Sequence, residues 1–133
     1  MAIEEIEGIG PAYAAKLDAA GINTTEALLA AGATRSGRKD LADKTGIRAE
    51  LILEWVNHAD LMRIKGVGPE YADLLEAAGV DSPAELAHRN AANLAQTFQE
   101  LDAARNTVVR IPSAATVAGW IEQAKTMPKV VEH

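Results

Sequence analysis

The sequence predicts an all-α protein built from two similar units of four to five short helices each. One pattern occurs twice, in residues 3–17 and again in residues 61–75. Hydrophobic residues make up 48% of the chain but aromatic residues only 4%, and alanine, a strong helix former, is abundant. Alternating β-branched residues, typical of strands, are confined to residues 107–111, which we interpret as an extended connection.

The repeated pattern combines apolar positions, a Gly-apolar-Gly-Pro turn, a Tyr-Ala pair and a leucine. It reads IEEIEGIGPAYAAKL at residues 3–17 and LMRIKGVGPEYADLL at residues 61–75. The similarity continues as LDAAGI at residues 17–22 and LEAAGV at residues 75–80. Internal similarity of this length indicates a duplicated unit, so each copy predicts a short helix, a glycine hairpin and a second helix.

Capping residues in both copies predict where the helices begin and end. A proline after each Gly-apolar-Gly suits the first helical turn, and a later glycine suits a left-handed C-cap. A hydroxyl residue then suits the N-cap of the next helix, predicted over residues 25–31 in one copy and 83–89 in the other. These capping residues are Pro11, Gly21 and Thr24 in the first copy, and Pro69, Gly79 and Ser82 in the second.

Two further helices are predicted between the copies. Residues 40–44 have helical composition, and residues 48–62 form one longer helix with an apolar stripe at a period of about 3.6 residues. The longer helix continues into the second copy without a Gly, Pro or Ser linker. We therefore predict two rigidly joined units, 1–59 and 60–133, which could also form one compact domain.

Charge and composition limit the classes of function. The formal net charge is −6, and it divides evenly: residues 1–59 carry nine acids and six bases, and residues 60–133 carry ten acids and seven bases. Neither half is a basic arm, so a nucleic-acid site has to be a local patch. The chain has no cysteine, no basic-then-apolar leader and no apolar run of about 18 residues. We expect a cytoplasmic protein without membrane contact.

No residue pattern indicates an enzyme. His58, His88 and His133 are widely spaced and have no cysteine near them, so a metal site is not expected. Neither a nucleophile elbow nor a Walker-type glycine-rich loop occurs, and the acidic residues show no paired catalytic spacing. We therefore expect a non-enzymatic protein that uses no metal and no cofactor.

The two glycine hairpins are the first candidate binding site. Free backbone N–H groups at the start of the following helix, together with the helix dipole, suit a phosphate oxygen, and such contacts are independent of base sequence. We expect Gly10 and Gly68 to need a positive φ or a close helix approach. The same turn is also a compact way to join two helices without any ligand, and its carbonyls can hold a monovalent cation. The hairpin residues are Gly8, Ile9 and Gly10 in the first copy, and Gly66, Val67 and Gly68 in the second.

Charged neighbours distinguish the two hairpins. Three glutamates, at positions 4, 5 and 7, precede the first hairpin, and only Lys16 follows it closely. Arg63 and Lys65 precede the second hairpin, although acidic residues follow it. Since acidic groups repel phosphate, the second hairpin is the better candidate for nucleic-acid contact.

A basic cluster at residues 35–48, RSGRKDLADKTGIR, is the second candidate site. Its C-terminal part, KTGIR, is similar to a degenerate second hairpin, with a Gly-apolar turn between two helices. The alternative is a solvated polar loop and helix without a ligand. The basic residues of this cluster are Arg35, Arg38, Lys39, Lys44 and Arg48.

The aromatic residues also occupy corresponding positions in the two copies. We expect Trp55 and Trp120 to pack in the cores of their units. Tyr13 and Tyr71 each lie three residues after the second glycine of a hairpin. They suit either the edge of the core or an exposed binding surface.

The run from Ala59 to Val80, ADLMRIKGVGPEYADLLEAAGV, resembles a bacterial family of tandem helix-hairpin-helix proteins that is a domain of unknown function. The resemblance extends from Ile3 to about Lys125 and implies two SAM-like helix-hairpin-helix units. By analogy with relatives in DNA repair and recombination, it implies binding to a DNA or RNA backbone. The acidic balance favours the alternative, a protein-interaction or scaffolding module without nucleic-acid contact.

Overall fold

The structure is a computed structural model, and it describes residues 1–105 and 110–133. The secondary structure of these residues is helical. The predicted all-α class is confirmed. The extended connection predicted over 107–111 falls largely outside the described residues. A 3-10 helix, Ile3–Glu5, precedes the α-helices, which are α1 Pro11–Ala19, α2 Thr25–Gly32, α3 Arg35–Thr45, α4 Ala49–Leu61, α5 Pro69–Ala77, α6 Pro83–Ala87, α7 Ala91–Arg105 and α8 Ala114–Thr126.

The chain divides into two units according to which residues contact each other. The first consists of Met1–Asp60 together with Lys129–His133, and the second of Leu61–Pro128. The contacts therefore group the last five residues with the first unit. The division into domains at residues 59 and 60, and the rigid joining of the repeats, stay predictions.

The first unit buries apolar side chains from its 3-10 helix, its hairpin and helices α1 to α4. Helix α4 supplies the largest of these side chains, Trp55, together with Ile52 and Val56 from the predicted stripe. The predicted placement of Trp55 in a core is confirmed. The other large apolar residues buried in this unit are Ile3, Ile6, Ile9, Leu17, Ile22, Leu28, Leu41 and Ile47.

The second unit has one hydrophobic cluster, to which α5, α7 and α8 all contribute. Phe98 of α7 and Trp120 of α8 are its largest members, so the core position predicted for Trp120 is also confirmed. Helix α8 packs against both α6 and α7. The remaining larger members of the cluster are Leu61, Ile64, Val67, Leu74, Leu75, Val80, Leu86, Leu94, Val117 and Ile121.

Most helix ends lie where the capping residues place them. Pro11 and Pro69 open α1 and α5, and Gly21 and Gly79 follow these helices with φ of 83° and 89°. Such positive φ values cost glycine little and other residues more, which is why a glycine ends each helix. The hydroxyl caps Thr24 and Ser82 accept from Ala27 N at 3.0 Å and from Glu85 N at 3.1 Å.

Two helix boundaries differ from the prediction by two residues or more. Helix α3 begins at Arg35 rather than at residue 40, because the Thr34 hydroxyl caps it by accepting from Gly37 N at 3.0 Å. Helix α6 ends at Ala87 rather than at residue 89. Both differences lie within one or two turns of a predicted end.

Candidate functional site

The two hairpins have nearly the same backbone geometry. Their first glycines, Gly8 and Gly66, have φ of 94° and 97°. The apolar residue between the glycines is buried in both, and its N–H closes the turn: Ile9 N donates to Ile6 O at 3.1 Å, and Val67 N to Ile64 O at 3.0 Å. The hairpins therefore present the same local shape, one in each unit.

The second glycine of each hairpin corrects the sequence-based prediction. Gly10 and Gly68 have φ of −85° and −93°, values that any residue adopts. A Cβ built on either residue meets no described atom within 4 Å. The expectation that these two positions need a positive φ or a close helix approach is therefore wrong, because the first glycine makes the tight turn and the second only caps the helix.

A buried tryptophan lies next to the first glycine of each hairpin. A Cβ on Gly8 would lie 3.4 Å from Trp55 Nε1, and one on Gly66 would lie 3.1 Å from Trp120 Nε1. Each indole thus packs against a backbone that has no side chain at that point. Glycine is therefore favoured at the first position for two reasons, the positive φ and the close contact with the indole.

Each hairpin is followed by a tyrosine whose ring contacts the same tryptophan at a steep angle, 64° for Tyr13 and 52° for Tyr71. The ring of Tyr13 lies 5.1 Å from that of Trp55, and the ring of Tyr71 lies 5.3 Å from that of Trp120. Tyr13 is 37% exposed, with Lys16 Nζ 5.9 Å from its ring centre, whereas Tyr71 is half-buried. Each ring therefore packs at the edge of a core, the first of the two alternatives, and a binding role for either tyrosine stays a prediction.

The helices that follow the hairpins begin without a side-chain cap. Gly10 and Gly68 occupy the N-cap positions of α1 and α5, where neither supplies a side-chain hydrogen bond. Hydroxyl groups of Thr24, Thr34 and Ser82 cap α2, α3 and α6. The first N–H groups of α1 and α5 therefore lack the intramolecular acceptor that those three helices have.

The first hairpin has acidic surroundings. The glutamates at positions 4, 5 and 7 are all exposed. An open groove of about 620 Å³ lies along α1, which follows the hairpin, and is lined in part by Glu4, Ala15 and Asp18. The exposed Lys16 is the basic residue predicted to act there. The local charge therefore opposes an anionic ligand at this hairpin.

The second hairpin is fixed to α8 by its backbone, and it keeps a basic side chain outward. Lys65 N donates to Gln123 Oε1 at 2.9 Å, and Gln123 Nε2 donates to Lys65 O at 3.0 Å. The Lys65 side chain is exposed. Arg63 is half-buried, and its Nη2 donates to Pro128 O at 3.1 Å. Lys65 is thus the better placed of the two cations to meet a ligand.

The basic cluster lies on α3 and the turn that follows it. Arg35, Lys39, Lys44 and Arg48 are exposed. The predicted Gly-apolar turn is present, with Gly46 as the C-cap of α3 at a φ of 73° and Ile47 buried after it. This cluster belongs to the same unit as the first hairpin, and the second hairpin belongs to the other.

Arg38 does not belong to the exposed part of this cluster. Its side chain is 5% exposed, and Nη1 donates to Gly32 O at 2.8 Å and to Ala33 O at 3.3 Å. Its Nη2 donates to Glu132 O. Arg38 thus donates to backbone carbonyls of its own unit, and its contact with a nucleic acid stays a prediction.

Sequence reasoning missed Gln123 and Glu132, which hold predicted basic residues in place. Gln123 is 58 positions from Lys65, and Glu132 is 97 positions from Arg35. No local pattern marks either residue, since each contact depends on how distant segments pack. Within residues 1–105 and 110–133, no three His, Cys, Asp or Glu side chains are grouped as a metal site, and no helix has the length and hydropathy to cross a membrane.

Comparison with known families matches the chain to the model described as "Domain of unknown function (DUF4332)" over residues 7–127. The chain belongs to this family. The match includes both hairpins, the tyrosines and the basic cluster on α3. No curated protein and no solved structure matches the chain.

Proposed function

We propose that this DUF4332 chain is a non-enzymatic binding module that holds nucleic-acid backbones weakly and without base specificity. Its contacts are the helix-hairpin-helix turns of a tandem repeat. The observation that carries the proposal is the second glycine of each hairpin: Gly10 and Gly68 have ordinary φ values and open space where a Cβ would be. Packing within the described residues does not exclude a side chain at either position.

The absence of a side chain at these two positions leaves room for a phosphate oxygen. At Gly10 and Gly68 a ligand can approach the uncapped N-terminus of α1 or α5, where the N–H groups and the helix dipole favour a negative charge. A Cβ would occupy part of the same space. Contacts of this kind hold the backbone of a nucleic acid and read no bases, so binding is independent of sequence.

The second hairpin supplies most of the affinity in this proposal. Lys65 is exposed beside it, and the backbone of Lys65 is fixed by Gln123, so the cation is presented from an ordered turn. The first hairpin is surrounded by exposed glutamates. A net charge of −6 keeps the overall affinity low, because long-range repulsion opposes association with a polyanion.

The first experiment is a titration of duplex DNA by fluorescence anisotropy at several salt concentrations. The slope of log affinity against log salt is about −0.9 per phosphate neutralised. Lys65→Gln should make the slope less steep by about 1, whereas Lys125→Gln, at an exposed lysine that pairs with Glu122 at 2.9 Å, should leave it unchanged. Equal slopes for the two variants would remove Lys65 from the interface.

The second experiment adds a methyl group at the proposed contact. Gly68→Ala should lower DNA affinity at least about threefold, since one lost hydrogen bond to a charged group weakens binding by about that much or more. Gly119→Ala adds the same methyl to the same unit in open space, and its affinity should equal that of the unaltered protein. Unchanged affinity in Gly68→Ala would mean that the hairpin is not the contact.

The groove along α1 favours a second candidate function, binding of a protein. Its acidic lining, with Glu4 and Asp18, and the 37% exposed Tyr13 nearby suit a basic segment of a partner. Ala15→Arg, which adds a positive charge to the groove, should abolish capture of such a partner, and Lys65→Gln should not. Absence of DNA and RNA binding at tens of micromolar protein would leave this candidate as the proposed function.

A further inference from the structure

The segment Lys129–His133 belongs to the first unit, where it contacts the end of α2 and the start of α3. Glu132 N donates to Ala33 O at 2.7 Å, and the Val131 side chain is only 1% exposed. His133 Nε2 lies 3.0 Å from Asn57 Oδ1. One apolar anchor and several polar contacts therefore hold an extended segment against a helical surface.

The same segment contacts two arginines of the basic cluster. Glu132 Oε1 accepts from Arg35 N, the first residue of α3, at 3.2 Å, and Arg35 Nε donates to His133 O at 2.8 Å. Arg38 Nη2 donates to Glu132 O. The Glu132 carboxylate thus lies at the N-terminus of α3, beside two guanidinium groups. A phosphate group would bind at a position of this kind.

Departure of the segment would change the exposure of these groups. Arg38 would lose its Glu132 acceptor, and the buried face of its guanidinium would meet solvent. Burial lowers the pKa of the Arg38 guanidinium, and the Glu132 carboxylate acts in the opposite direction. Arg35, Arg38 and Lys39 line one shallow cavity of about 210 Å³ together with Glu50, so the uncovered surface would carry three adjacent cations and one carboxylate.

We propose that Lys129–His133 is an internal ligand that masks an anion-binding surface on α3, and that a phosphate-rich ligand displaces it. This inference rests on the proposed function in one respect, since it takes the ligand to be the phosphates of a nucleic acid. The affinity of a masked surface is reduced by the fraction of molecules in which the mask is absent. Loosening the segment should therefore raise the affinity for phosphates.

The test compares the same substitution at two adjacent valines of the full chain. Val131→Asp places a charge where the side chain is buried and should release the segment, whereas Val130→Asp adds the same charge at a side chain that is 40% exposed. Each variant carries one more negative charge, which by itself weakens anion binding. Affinity for inorganic tripolyphosphate should nevertheless rise at least about fivefold in Val131→Asp, and it should stay equal or fall in Val130→Asp.

A second pair of variants covers the case in which Val131→Asp is unstable. Glu132→Gln removes the carboxylate from the N-terminus of α3, and Glu122→Gln makes the same charge change at an exposed residue of α8. Only Glu132→Gln should raise tripolyphosphate affinity beyond the effect of charge. Amide hydrogen exchange at Glu132, whose N–H is bonded to Ala33 O, should accelerate in both Val131→Asp and Glu132→Gln.

The outcomes separate this inference from the proposed function. If tripolyphosphate affinity rises in the released variants while duplex DNA binds to none of the proteins, the mask is supported and the nucleic-acid function fails. If DNA binds the unaltered protein and the released variants equally well, the function stands and the mask fails. If amide exchange at Glu132 accelerates without any gain in tripolyphosphate affinity, the surface beneath the segment is not an anion site, and the inference is overturned.

Discussion

The two glycines of the second hairpin should respond very differently to the same substitution. Gly66 has a φ of 97°, and a Cβ there would lie 3.1 Å from Trp120 Nε1. Gly68 has a φ of −93° and no described atom within 4 Å of the Cβ position. Gly66→Ala should therefore destabilise the second unit strongly, and Gly68→Ala only slightly.

The size of the difference follows from three contributions. A residue other than glycine at positive φ costs about 1–2 kcal/mol. Displacing the buried Trp120 indole to admit a methyl adds about 1–3 kcal/mol, and the smaller entropy of the unfolded alanine chain offsets about 0.4–1 kcal/mol. We expect a loss of about 2–4 kcal/mol for Gly66→Ala. Alanine replacing the glycine N-cap in Gly68→Ala should cost about 1 kcal/mol or less.

Urea unfolding followed by tryptophan fluorescence measures this difference. Both variants are made in a Trp55→Phe background, so that Trp120 alone reports on the second unit. With an m-value of about 2 kcal/mol/M, a difference of about 2 kcal/mol separates the two midpoints by about 1 M. Midpoints of Gly66→Ala and Gly68→Ala that agree within about 0.2 M would refute the assignment of the tight turn to the first glycine.

Other substitutions test the capping residues and the buried arginine. Thr24→Ala and Ser82→Ala should each cost about 1 kcal/mol in urea unfolding, because each removes the hydroxyl that caps a helix; no loss would mean that water replaces the cap. Arg38→Met should cost about 2–4 kcal/mol, since it leaves buried carbonyls without their charged donor, whereas Lys39→Met, at an exposed position, should change stability by about 0.5 kcal/mol or less. Equal stability of these two variants would contradict the buried placement of Arg38.

The features that the sequence predicts well depend on single residues or on residues a few positions apart in the chain. Pro11 and Gly21 mark the ends of α1 because a fixed φ and a positive φ are properties of single residues. Thr24 caps α2 through an N–H only three positions away. Since these interactions need no knowledge of the rest of the fold, these helix ends could be predicted from the sequence alone.

The features that the sequence predicts poorly depend on distant contacts. One of the carbonyls that accept from the buried Arg38 belongs to Glu132, 94 positions away. A run of basic residues gives no sign of which members face inward. The error at Gly10 has a different origin, since the Gly-apolar-Gly pattern does not specify which of two nearby glycines makes the tight turn.

The two hairpins show that a backbone repeat does not fix the chemistry of the site it forms. Gly8 and Gly66 differ by only 3° in φ (97° minus 94°), and both pack against an indole. Yet exposed glutamates surround the first turn, and the exposed Lys65 lies beside the second. A phosphate near the first turn meets repulsion that offsets the attraction of the helix N-terminus, whereas near the second it meets the cation Lys65 as well as one exposed carboxylate, Glu70, in the first turn of α5. The two turns are therefore alike in backbone shape, and they differ in the charges of the residues around them.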